Sequence, residues 1–271
     1  LRFAPDVLLL CAGGLTLLVT ICLVALEPEF LILRMLWITL RTVFRARSVG
    51  MENIPATGPA LLVANHVTLL DGFFIAACAP RLIRFMVWKP YYEPQLLVRL
   101  FRLIKAIPMG TDGPRDMVNS IRLARQALSE GHLVCIFAEG SLSRTGNLLP
   151  FKRGMERIIE GNNIPIIPIH LDGLWGSIFS FANGKFVWKW PRRAQHPVTI
   201  SFGAPLLPQS TAEQVRLAVQ ELGSEAVKQR QTKDDVLGLR LVHGLRKHWS
   251  GFCMADSTGK ELSRGRTLTA S

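Results

Sequence analysis

The sequence predicts an α/β fold, a sheet covered by helices, preceded by one transmembrane helix. Short, continuous apolar runs recur along the chain, and several are rich in β-branched residues. Such runs are typical of strands buried on both faces of a sheet. Helical patterns alternate with them, which indicates a sheet with helices packed on it. A long uncharged segment near the N-terminus supplies the third observation.

That uncharged segment spans Val7 to Leu26, twenty residues. At about 1.5 Å per residue, a helix of this length crosses the roughly 30 Å of a bilayer's hydrocarbon core. A buried core helix is the alternative. Arginines follow the segment, whereas only Arg2 precedes it, so the rest of the chain is predicted to lie in the cytoplasm. The stretch 30–44 has arginines seven apart and predicts either an interfacial helix or a helix packed on the domain.

The predicted strands are five apolar runs: 60–64, 83–87, 133–137, 164–171 and 198–202. The predicted helices are 115–130, 152–160 and 211–228. Apolar residues in the first of these helices recur near a period of 3.6, and Gly131 ends it. From about Lys233 the chain becomes polar and irregular, which indicates a linker.

The composition combines positive charge with high hydrophobicity. There are 32 Lys and Arg against 20 Asp and Glu, a net charge of +12, and 49% of the residues are hydrophobic. This hydrophobic fraction excludes a disordered chain. A basic and apolar chain favours an anionic membrane surface or an acidic partner. Nucleic acid is not expected, since the cations are interleaved with aliphatic residues, as they are between Arg81 and Lys105.

The first polar motif, Asn65 to Gly72, directly follows the predicted strand 60–64. In a loop that leads into a helix, Asp71 can accept a hydrogen bond from the His66 imidazole. The carboxylate then fixes the tautomer and leaves the second ring nitrogen as a base. The alternative is a His at a strand end and an Asp that caps a helix. No metal is expected, because His66 and Asp71 lack a third ligand.

The second polar motif, Phe137 to Gly146, follows the predicted strand 133–137. Its small residues and hydroxyls allow a phosphate to approach backbone N–H groups, and Arg144 adds a charge. An ordinary polar turn is the alternative. Because both motifs leave strands, they are predicted to share one rim of the sheet.

Together, the motifs N-H-x4-D and F-x-E-G-[ST], about seventy residues apart, resemble those of the PlsC-like glycerolipid acyltransferase family. The run Ile164 to Ile169 is similar to a further motif of that family, and the resemblance covers about residues 45–205. Two departures are visible. Ala138 stands where the family has Pro, and Leu142 stands where it has Arg, with Arg144 two residues later.

Within the family, Arg144-Thr145-Gly146 looks most like the acyltransferase half of bifunctional acyl-acyl-carrier-protein synthetases. That resemblance implies that this chain is one part of a longer fusion protein, in which a transporter, an acyltransferase and a synthetase follow one another. The domain organisation expected from it is a sequence of four segments: 1–29 transmembrane helix, 30–48 interfacial amphipathic helix, 49–232 acyltransferase domain, and 233–271 linker and start of a following domain.

The resemblance implies a mixed sheet and transfer of a fatty acyl group from a thioester to the free hydroxyl of a lysophospholipid, 2-acylglycerophosphoethanolamine. His66 would be the general base and Asp71 its partner. The acceptor site would comprise Glu139, Gly140, Ser141 and Arg144. No serine nucleophile is needed, and the chain has no G-x-S-x-G motif.

The acyl donor would be acyl carrier protein or coenzyme A, and no cofactor is expected. The expected location is the cytoplasmic face of a bacterial inner membrane. Two alternatives stay open at this point. One is a 1-acylglycerol-3-phosphate acyltransferase that makes phosphatidate, and the other is a catalytically silent domain that binds lipid.

Overall fold

The computed structural model describes residues 5–26, 35, 37–39, 42, 44–92, 98, 101–110, 113–177, 179–181, 197–230, 237–255, 257 and 259–269. The chain divides into two compact units, Leu1–Ser224 and Glu225–Ser271. The four segment boundaries expected from the sequence stay predictions.

The first unit is built on a sheet of seven strands within the described residues. They are β1 (Arg47–Val49), β2 (Ala60–Ala64), β3 (Ile83–Trp88), β4 (Ile107–Met109), β5 (Leu133–Phe137), β6 (Ile166–Asp172) and β7 (Thr199–Phe202). Their order across the sheet is β1-β7-β6-β2-β5-β3-β4. The strands from β2 to β6 are parallel, whereas β7 is antiparallel to β6 and parallel to β1. The predicted mixed sheet is confirmed.

Helices lie between the strands. In the first unit these are α1 (Pro5–Leu26), α2 (Asp71–Cys78), α3 (Pro114–Ser129) and α4 (Gly154–Ile159); α5 (Ala212–Arg230) begins there and ends in the second unit. Short 3₁₀ turns follow β1 and β3, at Met51–Asn53 and Lys89–Tyr92.

Strand β2 shows why this sheet needs cover on both faces. All five of its residues are buried. Leu62 packs in a cluster with Phe74 and Ile75 of α2, while Leu61 and Val63 pack in a second cluster that includes α3 and α4. Successive side chains of a strand point to opposite faces. The continuous apolar run 60–64 therefore contributes side chains to two hydrophobic cores, one on each face of the sheet, as the sequence predicts.

Two strands, β1 and β4, were not predicted. Each has three residues, too few to show a pattern, and each is held by a neighbour: Arg47 pairs with Thr199 and Ile107 with Met86. Nine of the nineteen residues of the predicted interfacial helix 30–48 lie outside the described residues, and residues 35, 37–39, 42 and 44 are helical. Its last two residues belong to β1, because they pair with β7.

The second unit corrects the predicted irregular tail. It contains α6 (Leu237–Lys247), β8 (Phe252–Ala255), β9 (Glu261–Ser263) and α7 (Arg264–Thr269), and β8 pairs with β9 as an antiparallel hairpin. In the sequence, glycines and basic residues interrupt the apolar residues of α6, which obscures its helical pattern.

The predicted transmembrane segment is not found in the described part of the chain. Helix α1 forms over Pro5–Leu26. Among the described residues, no helix has both the length and the apolarity to cross a membrane.

The central position of β2 generates a stability prediction. We expect Leu62→Ala to lower the free energy of unfolding in urea by about 2–5 kcal/mol, because it leaves a cavity among side chains that are already close-packed. Leu207→Ala is the matched control, since Leu207 is 65% exposed and Leu62 is 0% exposed. We expect this control to change stability by less than about 0.5 kcal/mol. Equal effects would contradict the assignment of Leu62 to the core.

Candidate active site

The two polar motifs meet at one edge of the sheet. Strands β2 and β5 are parallel neighbours, and their last residues, Ala64 and Phe137, are register partners. The first motif leaves β2 and the second leaves β5, so both begin at the carboxyl edge. In open α/β sheets this edge is where ligands bind. The structure thus brings together the two motifs that the sequence predicted to share one rim.

Asp71 organises the loop of the first motif. It is the first residue of α2 and its side chain is fully buried. One carboxylate oxygen accepts hydrogen bonds from Nδ1 of His66 at 2.9 Å and from the backbone N–H groups of Val67 and Thr68 at 2.6 and 2.9 Å. The other oxygen accepts the Thr68 hydroxyl at 2.6 Å. The loop is therefore wrapped around this carboxylate.

These contacts determine what the His66 ring can do. The Asp71 oxygen already accepts two N–H groups, so Nδ1 of His66 is the donor in their hydrogen bond. No described residue hydrogen-bonds to Nε2, which is left as an acceptor. The ring stacks on Phe137, with centroids 4.0 Å apart, and its side chain is 19% exposed. A base held in one tautomer, with access from solvent, is what proton abstraction from a hydroxyl requires.

Glu139 joins the two loops. Its side chain is buried, and one oxygen accepts the backbone N–H of His66 at 2.8 Å while the other accepts that of Leu149 at 3.1 Å. A second bridge runs from the N–H of Ser143 to the carbonyl of His66, at 2.9 Å. Both Glu139 oxygens thus contact backbone, which is a positioning role. The predicted contact of Glu139 with an acceptor stays a prediction.

Burial also changes the acidity of this carboxyl group. Removal from water disfavours the charged form and raises the pKa of Glu139 to about 7, although the two backbone N–H donors act in the opposite direction. The carboxyl group is therefore half protonated near neutral pH.

The remaining predicted site residues lie on the turn after Glu139. Gly140, Ser141 and Arg144 are all exposed. Gly140 has φ of +69°, which favours glycine. The Arg144 guanidinium lies over the ring of Phe181, 5.7 Å from its centroid. The second motif therefore has a buried part, Glu139, and an exposed part that reaches solvent.

Sequence reasoning missed two residues that support the site. The Asn65 side chain bridges to β6, where it accepts the N–H of Leu171 at 2.8 Å and donates to its carbonyl at 3.2 Å. Thr68 supplies two donors to Asp71. Thr68 lies three residues before an Asp at the start of a helix, and this spacing in the sequence indicates a local hydrogen bond. No local pattern indicates the bridge from Asn65, because its partner Leu171 is 106 residues away.

The basic run between Arg81 and Lys105 is less available than the sequence suggests. Arg81 donates to the carbonyls of residues 55, 58 and 131, Arg84 pairs with Glu130, and Lys89 pairs with Asp116. Each of these three cations thus has a partner within the chain. In the part of the chain that the structure describes, no three His, Cys, Asp or Glu side chains are grouped so that they could hold a metal ion.

The acidity of Glu139 generates a pH prediction. Between pH 4.5 and 7 the folded state keeps a proton that the unfolded state has released, so the free energy of unfolding falls as pH rises through this window, by at most about 3 kcal/mol. Glu139→Gln cannot titrate. Urea unfolding at several pH values is expected to show the wild type losing stability relative to this variant from pH 4.5 to 7. A difference that does not change with pH would contradict the assignment.

Curated relatives share the region of the two motifs. The chain is 29% identical over 153 residues to the 1-acyl-sn-glycerol-3-phosphate acyltransferase of Limnanthes douglasii, covering 54% of this chain and 50% of that protein. It is 27% identical over 135 residues to the protein of the same name from Bacillus subtilis, covering 49% and 66%. The chain thus spans about half the length of the first of these relatives.

A solved structure has the same fold. The 1-acyl-sn-glycerophosphate acyltransferase PlsC from Thermotoga maritima superposes with a TM-score of 0.59 at 22% identity, over 74% of this chain and 80% of that chain. A family model described as Acyltransferase matches residues 45–172, which contain both motifs. Through these residues the chain is similar to PlsC-like acyltransferases.

Proposed function

We propose that this protein is a glycerolipid O-acyltransferase that moves a fatty acyl group from a thioester to the free hydroxyl of a lysophospholipid. The observation that carries the proposal is the pair of His66 and Asp71, 2.9 Å apart, with Nε2 of the imidazole left without a partner among the described residues. A hydroxyl is a poor nucleophile at neutral pH, so the reaction needs such a base.

In the proposed reaction, Nε2 of His66 takes the proton of the acceptor hydroxyl as its oxygen attacks the thioester carbonyl. The new C–O bond forms, the C–S bond breaks, and the thiolate leaves with the proton that the imidazolium returns. Asp71 stabilises the imidazolium through Nδ1. A positioned base of this kind contributes roughly 10²–10⁴ to the rate. No covalent acyl-enzyme is required.

For the acceptor, we propose 1-acylglycerol 3-phosphate, so that the product is phosphatidate. The support comes from the relatives in Limnanthes and Bacillus, both named for that acceptor. The turn Arg144-Thr145-Gly146 is the feature that favoured 2-acylglycerophosphoethanolamine as the acceptor. In the structure, the Arg144 guanidinium lies over the ring of Phe181. The phosphatidate-forming alternative therefore has the better support.

We also propose that acyl carrier protein or coenzyme A carries the acyl group, and that the protein works at the cytoplasmic face of a bacterial inner membrane. Two features support the location. The acceptor is a membrane lipid, and Arg34, Arg41, Arg45 and Arg47 form a basic cluster of the kind that anionic lipid attracts.

The role of His66 generates the central prediction. We expect His66→Ala to lower kcat for acyl transfer to 1-acylglycerol 3-phosphate by roughly 10²–10⁴, since the base is removed. His132→Ala is the matched control, because His132 directly precedes β5 at the opposite edge of the sheet. We expect this control to keep wild-type activity. The assay uses labelled acyl-acyl-carrier-protein and acyl-coenzyme A as donors.

The same assay discriminates the rival functions. A wild type that prefers 2-acylglycerophosphoethanolamine would replace the proposed acceptor and keep the proposed chemistry. A wild type that binds lysophospholipid vesicles and transfers no acyl group from either donor would indicate the silent lipid-binding domain. Full activity of His66→Ala would show that His66 is not the base.

A further inference from the structure

We propose that Lys152 binds the phosphate of the acceptor and thereby selects phosphorylated acceptors over neutral ones. This inference rests on the proposed function. It starts from a cation that the structure places against the Glu139–Gly140 turn and that the two motifs themselves do not contain.

The backbone and the side chain of Lys152 both contact this turn. Its backbone N–H donates to the carbonyl of Ala138 at 2.8 Å. Its ammonium group lies directly over Gly140, where an added Cβ atom would be only 2.6 Å from Nζ. Gly140 follows Glu139, which holds the backbone of His66. The charge of Lys152 is therefore placed on the same turn that positions the base.

Lys152 is also available. Its side chain is exposed, and within the described ranges no carboxylate forms an ion pair with it. Lys89 and Arg84 differ in this respect, since each is 3.1 Å from a carboxylate oxygen. An ammonium group with three donors and no internal partner is suited to bind a phosphate as a point charge.

The other residues of the turn are less suited to this role. Leu142, which stands where the family resemblance places an arginine, is half-buried and carries no donor in its side chain. The Arg144 guanidinium lies over Phe181. The small size of Gly140 leaves the space that the Lys152 ammonium occupies, because any Cβ atom there would force it away.

The test compares two acceptors that carry the same acyl chain, 1-acylglycerol 3-phosphate and monoacylglycerol. We expect Lys152→Ala to lower kcat/KM for the phosphorylated acceptor by about tenfold to a hundredfold, the usual effect of a charged hydrogen bond, mainly through KM. Turnover of monoacylglycerol is expected to stay unchanged, because it has no phosphate to lose contact with. Lys152→Arg keeps the charge and is expected to recover part of the loss.

Arg153→Ala is the matched control, since Arg153 is the next residue and is equally exposed. We expect it to leave the preference for the phosphorylated acceptor unchanged. Where monoacylglycerol turns over too slowly, dissociation constants for the two acceptors, measured by titration calorimetry, give the same comparison.

Three results would overturn the inference. One is an equal loss for both acceptors, and another is an equal loss in Lys152→Ala and Arg153→Ala. The third is a fall in kcat with unchanged KM, which would place Lys152 at the reacting atoms. Each leaves the proposed function intact as long as His66→Ala abolishes transfer. An inactive wild type would instead reject the proposed function, and this inference with it.

Discussion

A carboxylate without solvent contact must find hydrogen-bond donors inside the protein, since burying an unpaired charge is costly. Asp71 finds four: two backbone N–H groups, the Thr68 hydroxyl and Nδ1 of His66. All four come from residues 66–68, so the loop has to fold back towards the first turn of α2. The direction of the imidazole follows from this requirement. The site depends on this orientation, because among the described residues no other hydrogen bond fixes which nitrogen of the His66 ring faces solvent.

The second motif is coupled to this loop through main chain. Glu139 accepts the N–H of His66, and Ser143 donates to the His66 carbonyl, so both backbone groups of that residue contact the loop after β5. Parallel pairing of β2 with β5 brings the two loops within reach of each other. The base is thus held by its carboxylate partner on one side and by a neighbouring strand's loop on the other. Because Glu139 is buried, its protonation and the geometry around His66 are linked.

The sequence predicts what local pattern encodes. The apolar run of β2, the helix after Gly113 and the pairing of His66 with Asp71 all depend on residues close in the chain. What it could not predict depends on distant partners. Strand β1 exists because β7 lies beside it, and the orientation of Glu139 depends on a backbone N–H that is 73 residues away. A glutamate in a polar turn looks like a ligand residue until that partner is known.

The site separates a buried, fully hydrogen-bonded part from an exposed part. Asp71 and Glu139 are buried, whereas Gly140 and Lys152 are exposed, and the turn that carries Gly140 is anchored by main-chain contacts such as that of Lys152 to Ala138. Main-chain contacts do not depend on side-chain identity. An arginine can therefore be replaced by Leu142 without disturbing the base, provided that another cation serves the phosphate. In the proposed enzyme, the base and the recognition of the acceptor can change independently.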